Sequence, residues 1–348
     1  MGIVLNFFRR QSRNLFPGYF AMVMATGALS LSCWYLGLPV AAEALIYFNL
    51  FIYVILLALN IMRFTLNTGE FLSDLGDHSK GPGFFTLIAG TEVLGSQLVV
   101  IKGLYVWGFI FWSVAFFLWA ILMYTFFTII IVKKVKPVIE EAVNGGWLLA
   151  VVSTESIAVL GTLVASGMGA YSDIILFISL CHFLLGCMLY LNIIAFIFYR
   201  LMFLKVEAMS LAPPYWINMG ALAITTLAGS VLIIYGMDSA LIRELGVFIK
   251  GFTLFYWVLG TWWIPLLITL GIWRHIVNHY PFTYDPQMWG MAFPIAMYTV
   301  GTTKLSLALD LGFLMIIPYI TIFAAIGVWL AILAGMVFSL TRRQLRRM

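Results

Sequence analysis

Residues 83–132 read GFFTLIAGTEVLGSQLVVIKGLYVWGFIFWSVAFFLWAILMYTFFTIIIV, two apolar runs, 83–101 and 105–132, joined at Lys102-Gly103-Leu104. A helix rises about 1.5 Å per residue and needs about 20 apolar residues to cross the hydrocarbon layer of a bilayer. Both runs are of that order. They are too long for barrel strands, and an open sheet cannot expose its edges to lipid, so the pair reads as a transmembrane helical hairpin. Its arms differ in kind. The first is built on Gly, Ala, Ser and Thr, the second on Phe and Trp.

The pattern continues in both directions. Ten apolar runs are read, at 17–37, 44–65, 83–101, 105–132, 147–166, 171–200, 214–235, 246–273, 287–308 and 313–340. They predict an all-α integral membrane protein of ten transmembrane helices, five tandem hairpins in one membrane domain over 17–340. A segment 1–16 precedes it, and 341–348 forms a basic tail.

Composition agrees. Of 348 residues 63% are hydrophobic and 9% charged, against about 45–50% and 25% in a soluble domain. No polar stretch is long enough to form a second core, which excludes an appended catalytic or nucleotide-binding domain. The net charge of +5 is read as topology rather than as a nucleic-acid surface. The termini and the even-to-odd loops hold all 19 Lys and Arg except Lys102, Arg243, Lys250 and Lys304. Both ends are therefore expected in the cytoplasm, with the chain in the plasma or inner membrane. Arg9, Arg10 and Arg13 precede no apolar core of signal-peptide length, so no cleavage is expected. Cys33, Cys181 and Cys187 form no CxxC pair and no disulfide framework.

The odd-numbered runs repeat. Each begins beside Pro or Gly and then places an aromatic residue: Tyr19, Phe84, Trp147, Trp216 and Trp289, spaced 65, 63, 69 and 73 residues apart, one hairpin each. Repeats that enter from the same side are related by an axis along the membrane normal, so the odd helices are expected to surround a central path. Small residues let backbones approach and hydroxyls tolerate water or ions. The bulky even helices, 106–127 and 252–273 among them, suit lipid.

Four stretches, FPGYFAMVMATGALSL (16–31), STESIAVLG (153–161), PPYWINMGALAITT (213–226) and WGMAFPIAMYT (289–299), are similar to the tellurite-resistance/dicarboxylate transporter family. That family includes slow-type anion channels of plant guard cells, bacterial tellurite-resistance proteins and fungal malate and sulfite transporters. The resemblance spans about residues 16–340. It implies ten helices in five hairpins, a pore lined by the odd helices within each protomer of a homotrimer, and a phenylalanine on the ninth helix that plugs the pore. Trp289-Gly290-Met291-Ala292-Phe293-Pro294 matches that motif, so Phe293 is the implied gate, with Pro294 removing a helix hydrogen bond beside it.

Counting from the aromatic anchors turns the repeat into a depth map. Phe293 falls level with Val23, Ile88, Val151 and Gly220, about 6 Å into each helix, which reads as a narrow apolar ring. Ordinary core packing is the plain alternative for Phe293. Glu92 and Glu155 stand one turn further, both after Thr, and are rotated by about 40° from the ring position. Carboxylates inside a membrane face cavities or partners, yet in an anion path they would repel the cargo. Three resolutions stay open: burial and mutual repulsion keep them protonated, helix neighbours donate to them, or they carry protons with an organic acid. Lys304 lies about 10 Å nearer the far mouth on the same face. It reads as an anion attractor, or as a lysine snorkelling outward. Thr26, Thr225, Thr299 and Thr302 are the hydroxyls expected to line the path.

His275 and His279 have metal-ligand spacing but no carboxylate or Cys cluster beside them, and His182 reads as a core residue. No catalytic or nucleotide motif is visible. The expectation is a channel or transporter for chloride, nitrate or dicarboxylates in a lipid bilayer, without cofactor, metal, nucleic-acid partner or enzymatic activity. The alternative is a proton-coupled malate/succinate transporter.

Overall fold

The computed structural model describes residues 12, 13 and 15–345. Arg9 and Arg10 of the N-terminal segment, and Arg346 and Arg347 of the tail, lie outside the described residues. Among the described residues there is no strand. Ten helices are long: α1 (Ala21–Tyr35), α2 (Pro39–Leu66), α3 (Phe85–Lys102), α4 (Tyr105–Val132), α5 (Leu149–Ala165), α6 (Ser172–Phe203), α7 (Ile217–Tyr235), α8 (Gly246–Ile272), α9 (Trp289–Leu309) and α10 (Ile316–Leu345).

Each predicted run coincides with one of these helices, but eight, α2–α8 and α10, are long and apolar enough to cross a membrane on their own composition. The shortfall has a physical reason. α1 has 15 residues and is buried from Ala21 through Cys33. α9 carries Pro294, Lys304 and several hydroxyls, and most of it is buried. A helix enclosed by other helices meets no lipid, so it is free to hold residues that a lipid-facing span cannot.

The odd helices start alike. A single 3-10 turn opens each, at Pro17–Phe20, Gly81–Phe84, Gly145–Leu148, Pro213–Trp216 and Pro286–Met288. Proline fits this place because the first N–H groups of a helix have no intrahelical partner. The third turn lacks proline, and the Asn144 side chain accepts the Gly146 N–H at 2.7 Å. Asp285 caps the fifth, accepting the Gln287 N–H at 2.8 Å. Adjacent turns touch through backbone. A Cβ on Gly83 would lie 2.9 Å from the Gly18 nitrogen, and one on Gly145 would lie 2.6 Å from the Pro214 carbonyl carbon.

The odd helices pack in sequence, α1 on α3, α3 on α5, α5 on α7 and α7 on α9, and α9 returns to α1. Each even helix packs on its own odd partner and also on the odd helix that follows: α2 on α1 and α3, α4 on α3 and α5, α6 on α5 and α7, α8 on α7 and α9, α10 on α9 and α1. Burial separates the two sets. The apolar spans containing α3, α5 and α7 are 83%, 100% and 94% buried, against 22–50% for the even helices.

Hydrogen bonds tie the sets together across hairpins. Trp119 of α4 donates to Thr154 of α5 at 2.9 Å, Trp257 of α8 to Thr302 of α9 at 3.0 Å, and Trp329 of α10 to Thr26 of α1 at 3.0 Å. Tyr53 of α2 and Thr91 of α3 share a fourth bond at 3.1 Å. Each contributes about 1 kcal/mol net. The reading of the even-helix aromatics as a lipid belt needs correction here. Trp107, Phe117, Tyr124 and Trp262 are exposed on the apolar exterior, whereas Trp112, Trp119, Trp263 and Trp329 are buried.

Candidate ion path

The five opening turns meet at one place. A cavity of ≈ 270 Å³ is lined by Gly18, Gly83, Gly146, Pro214 and Gln287, one residue from each turn, and by Ala21, Thr86, Leu149, Ile217 and Gly290, three residues further along the same chains. All five odd helices therefore begin at this mouth and run away from it in parallel. Each helix start carries a partial positive charge from its unpaired N–H groups. Five such ends converge here.

The mouth also sets the register. With Gly18, Gly83, Gly146, Pro214 and Gln287 level, Phe293 lies level with Met24, Ala89, Val152 and Gly220. On α1, α3 and α5 this is one residue beyond Val23, Ile88 and Val151, the positions given by the aromatic anchors. Either way the layer is apolar and closed: Phe293 is 1% exposed, and Val23, Met24, Ile88, Val151 and Val152 are fully buried. It begins about 4.5 Å past Gly290.

The expected hydroxyls do not converge. Thr26 and Thr302 accept the indole bonds of Trp329 and Trp257, and Thr299 bonds Thr321 of α10 at 2.7 Å. The hydroxyls of all three bond side chains of even helices, whereas the expectation is that they line a central path. A period of 3.6 fixes depth well but azimuth poorly, and one residue of register rotates a side chain by about 100°. Thr225 faces another odd helix, donating to Glu155 Oε1 at 3.2 Å.

Glu92 and Glu155 are fully buried. Glu155 lies where α5 meets α6 and α7. Its carboxyl carbon packs so closely on Gly186 that a Cβ there would come within 2.5 Å, and its Oε2 has no partner. Among the described residues neither carboxylate oxygen of Glu92 has a hydrogen-bond partner. Donation from a neighbour thus applies to one oxygen of Glu155 and to neither of Glu92.

Lys304 is 4% exposed and does not snorkel out. Its ammonium donates to the Tyr235 hydroxyl at 3.1 Å and lies 4.0 Å from the Tyr35 ring centroid and 5.4 Å from that of Tyr235. Tyr35 ends α1 and Tyr235 ends α7, on either side of α9. No carboxylate pairs with Lys304 among the described residues. This cation is held by aromatic faces, a role that sequence reading missed. The available signal was the tyrosine closing two odd runs at about the depth of Lys304.

Near the mouth, Asp77 accepts the N–H groups of Ser79 and Lys80, each at 2.9 Å. Partial burial works against ionisation of Asp77, but the Lys80 and Ser79 donors outweigh it and hold the carboxyl below its ordinary range. Burial, and then the nearby Lys133 charge, hold His78 below the usual histidine range. His275 bonds the Tyr280 carbonyl, and His182 bonds Ile178 and packs on Trp119.

Residues 14–337, from before the first opening turn into α10, match the voltage-dependent anion channel family, SLAC1. The chain belongs to that family. It is 26% identical over 298 residues to the uncharacterized transporter MJ0576 of Methanocaldococcus jannaschii, covering 83% of each chain. It is also 25% identical over 301 residues to the uncharacterized transporter MJ0762 of that organism, covering 83% of this chain and 84% of the other. The uncharacterized membrane protein Rv1735c of Mycobacterium tuberculosis is 33% identical over 152 residues, 44% of this chain and 77% of that one. Membership, with the apolar helices, makes this a multi-pass membrane protein of the anion channel and transporter class.

Proposed function

We propose that α1, α3, α5, α7 and α9 enclose an anion path, that all ten long helices cross the membrane as five hairpins over 17–340, and that Phe293, beside Pro294, is the gate. The convergence of five parallel helix starts on one mouth carries this reading. Positive helix ends draw anions to that side, Lys304 offers a cation near the other end, and the apolar layer between them closes by plugging or dewetting. The cargo is chloride, nitrate or a dicarboxylate. Each protomer of a homotrimer has its own path, in the plasma or inner membrane, with the mouth and both termini cytoplasmic. The test is reconstitution with recording of anion currents. Phe293→Ala should raise conductance at least tenfold, and an unchanged conductance sinks the gate assignment.

The unpartnered carboxyl of Glu92 favours a second reading, proton-coupled transport of malate or succinate. A carboxyl that no fixed donor holds in its charged form can carry a proton, and it would exchange that proton only when water or cargo comes within hydrogen-bond reach. Under that reading, uptake into vesicles depends on a pH gradient, and Glu92→Gln abolishes the dependence while Glu155→Gln does so only if it shares the load.

A further inference from the structure

Arg200, near the end of α6, is 4% exposed, yet among the described residues its Nε and Nη1 have no hydrogen-bond acceptor. The guanidinium carbon lies 5.7 Å from the ring centroid of Tyr215, whose hydroxyl is also buried and unpartnered. Both side chains line a cavity of ≈ 210 Å³ together with Asn144, Ser210 and Gln287.

The comparison with Arg63, in the same position at the end of α2, sharpens the point. Arg63 also leaves its Nε unpaired, but Nη1 donates to the Leu15 carbonyl at 2.7 Å and Nη2 pairs with Asp74. Arg200 has no such carboxylate. Glu140 and Glu141 line the same cavity with exposed side chains, and neither forms an ion pair with Arg200 among the described residues. The Glu140 charge acts on Arg200 only from a distance; a buried guanidinium without a directly paired counter-charge is unfavourable, and its planar fork matches an oxoanion or a carboxylate. The cavity is small enough to suit a single ion with a few waters rather than a larger organic ligand.

The cavity adjoins the mouth. Asn144, Pro214 and Gln287 line both. We propose that Arg200 and Tyr215 form a binding site for a small oxoanion or carboxylate at the rim of the mouth, where an anion dwells before entering the ring. The last clause rests on the ion-path reading; the binding site itself does not.

The experiment has two arms, both on the full chain. In detergent, sodium nitrate and sodium malate are titrated calorimetrically against the parent, Arg200→Gln, Arg200→Lys and Tyr215→Phe. Arg200→Gln should weaken binding at least tenfold, Arg200→Lys severalfold, because a point charge replaces the fork, and Tyr215→Phe by a smaller factor. In bilayers, Arg200→Gln should raise the half-saturating nitrate concentration at least tenfold with nitrate on the mouth side only, and leave it unchanged from the opposite side. If Arg200→Gln does not fold, Arg200→Lys and Tyr215→Phe carry both arms. Unaltered binding in these variants overturns the site. So does a result in which Glu140→Gln lowers the melting temperature as much as Arg200→Gln while nitrate affinity stays constant, since Arg200 then serves an internal ion pair. Binding that depends on Arg200 in a protein whose parent passes no current leaves the site standing and removes the path.

Discussion

Gly220 of α7 sits against Pro294 of α9 so closely that a Cβ on the glycine would lie 2.6 Å from the proline Cγ and 3.3 Å from its Cα. Pro294 lacks an N–H, so α9 is missing a hydrogen bond beside Phe293. The bare face of α7 braces that weakened turn. Gly220→Ala should push the two helices apart at a cost of about 1–3 kcal/mol, read as a lower melting temperature in detergent, and should loosen Phe293 enough to raise current severalfold. Pro294→Ala added to it removes the closest atom and should recover part of the stability. A double variant no more stable than Gly220→Ala alone would mean that the contact does not set the helix spacing.

The outward-turned hydroxyls make a contrasting case. Thr26→Val leaves the Trp329 indole N–H without its acceptor inside the protein, a loss of about 1–3 kcal/mol. Conductance and selectivity should not change, because the hydroxyl faces α10. Reduced conductance at unchanged stability would return Thr26 to the path.

Lys304 should behave in the opposite way. Burial of the ammonium without a carboxylate partner is costly and the two tyrosine rings and the Tyr235 hydroxyl offset that cost, so Lys304→Met, which keeps the apolar stem, should shift the melting temperature by no more than about 2–4 °C. Reversal potentials measured in asymmetric salt should shift toward lower anion selectivity, with current reduced severalfold, while Lys304→Arg retains most of both. Equal selectivity in parent and Lys304→Met removes the lysine from the mechanism.

Stability near the mouth should depend on pH through His78. Its pKa is held below the unfolded value, so the neutral ring is favoured in the fold. The contribution is present above about pH 6.5 and is lost as pH falls toward the lowered folded value. Melting curves of the parent should drop between pH 7 and pH 5, and His78→Gln should flatten part of that drop. An identical pH profile for both proteins excludes His78 as the source. Asp77 acts in the same direction at more acidic pH, since its folded value is also lowered.

The helices and the five-fold order of their starts were legible in the sequence, because apolar length and the Pro/Gly-aromatic anchors are local signals. Azimuth was not. Thr26, Thr299 and Thr302 were placed at a depth, but whether a hydroxyl faces inward depends on which neighbour packs there, and Trp329, Thr321 and Trp257 lie 303, 22 and 45 residues away along the chain. The register slipped by one residue between α7 and α9 and the other three because Trp216 and Trp289 stand two places after the residues that meet at the mouth, Pro214 and Gln287, whereas Tyr19, Phe84 and Trp147 stand one place after Gly18, Gly83 and Gly146. Glu92 and Glu155 share a sequence context and look alike on paper, yet only one finds a hydroxyl, since Thr225 belongs to a helix that follows the second glutamate and not the first. The buried indoles were hidden among exposed ones on the same helices.

Each even helix spans the seam between two odd helices, and among the described residues four of the five seams carry a Trp or Tyr bond to the odd helix of the next hairpin, three of them buried and that of Trp257 half-buried. Four straps are fastened in this way to a neighbour, α6 rests on α7 by packing, and the last strap is fastened to the first helix. Under the proposed gate, a movement of α9 that withdraws Phe293 is passed through α10 to α1 and on through α2 and α4 as far as α5, as neighbouring blades of an iris move together. Single-channel records should show two current levels without intermediate steps, and cutting one strap, as in Trp119→Phe, should introduce partial openings.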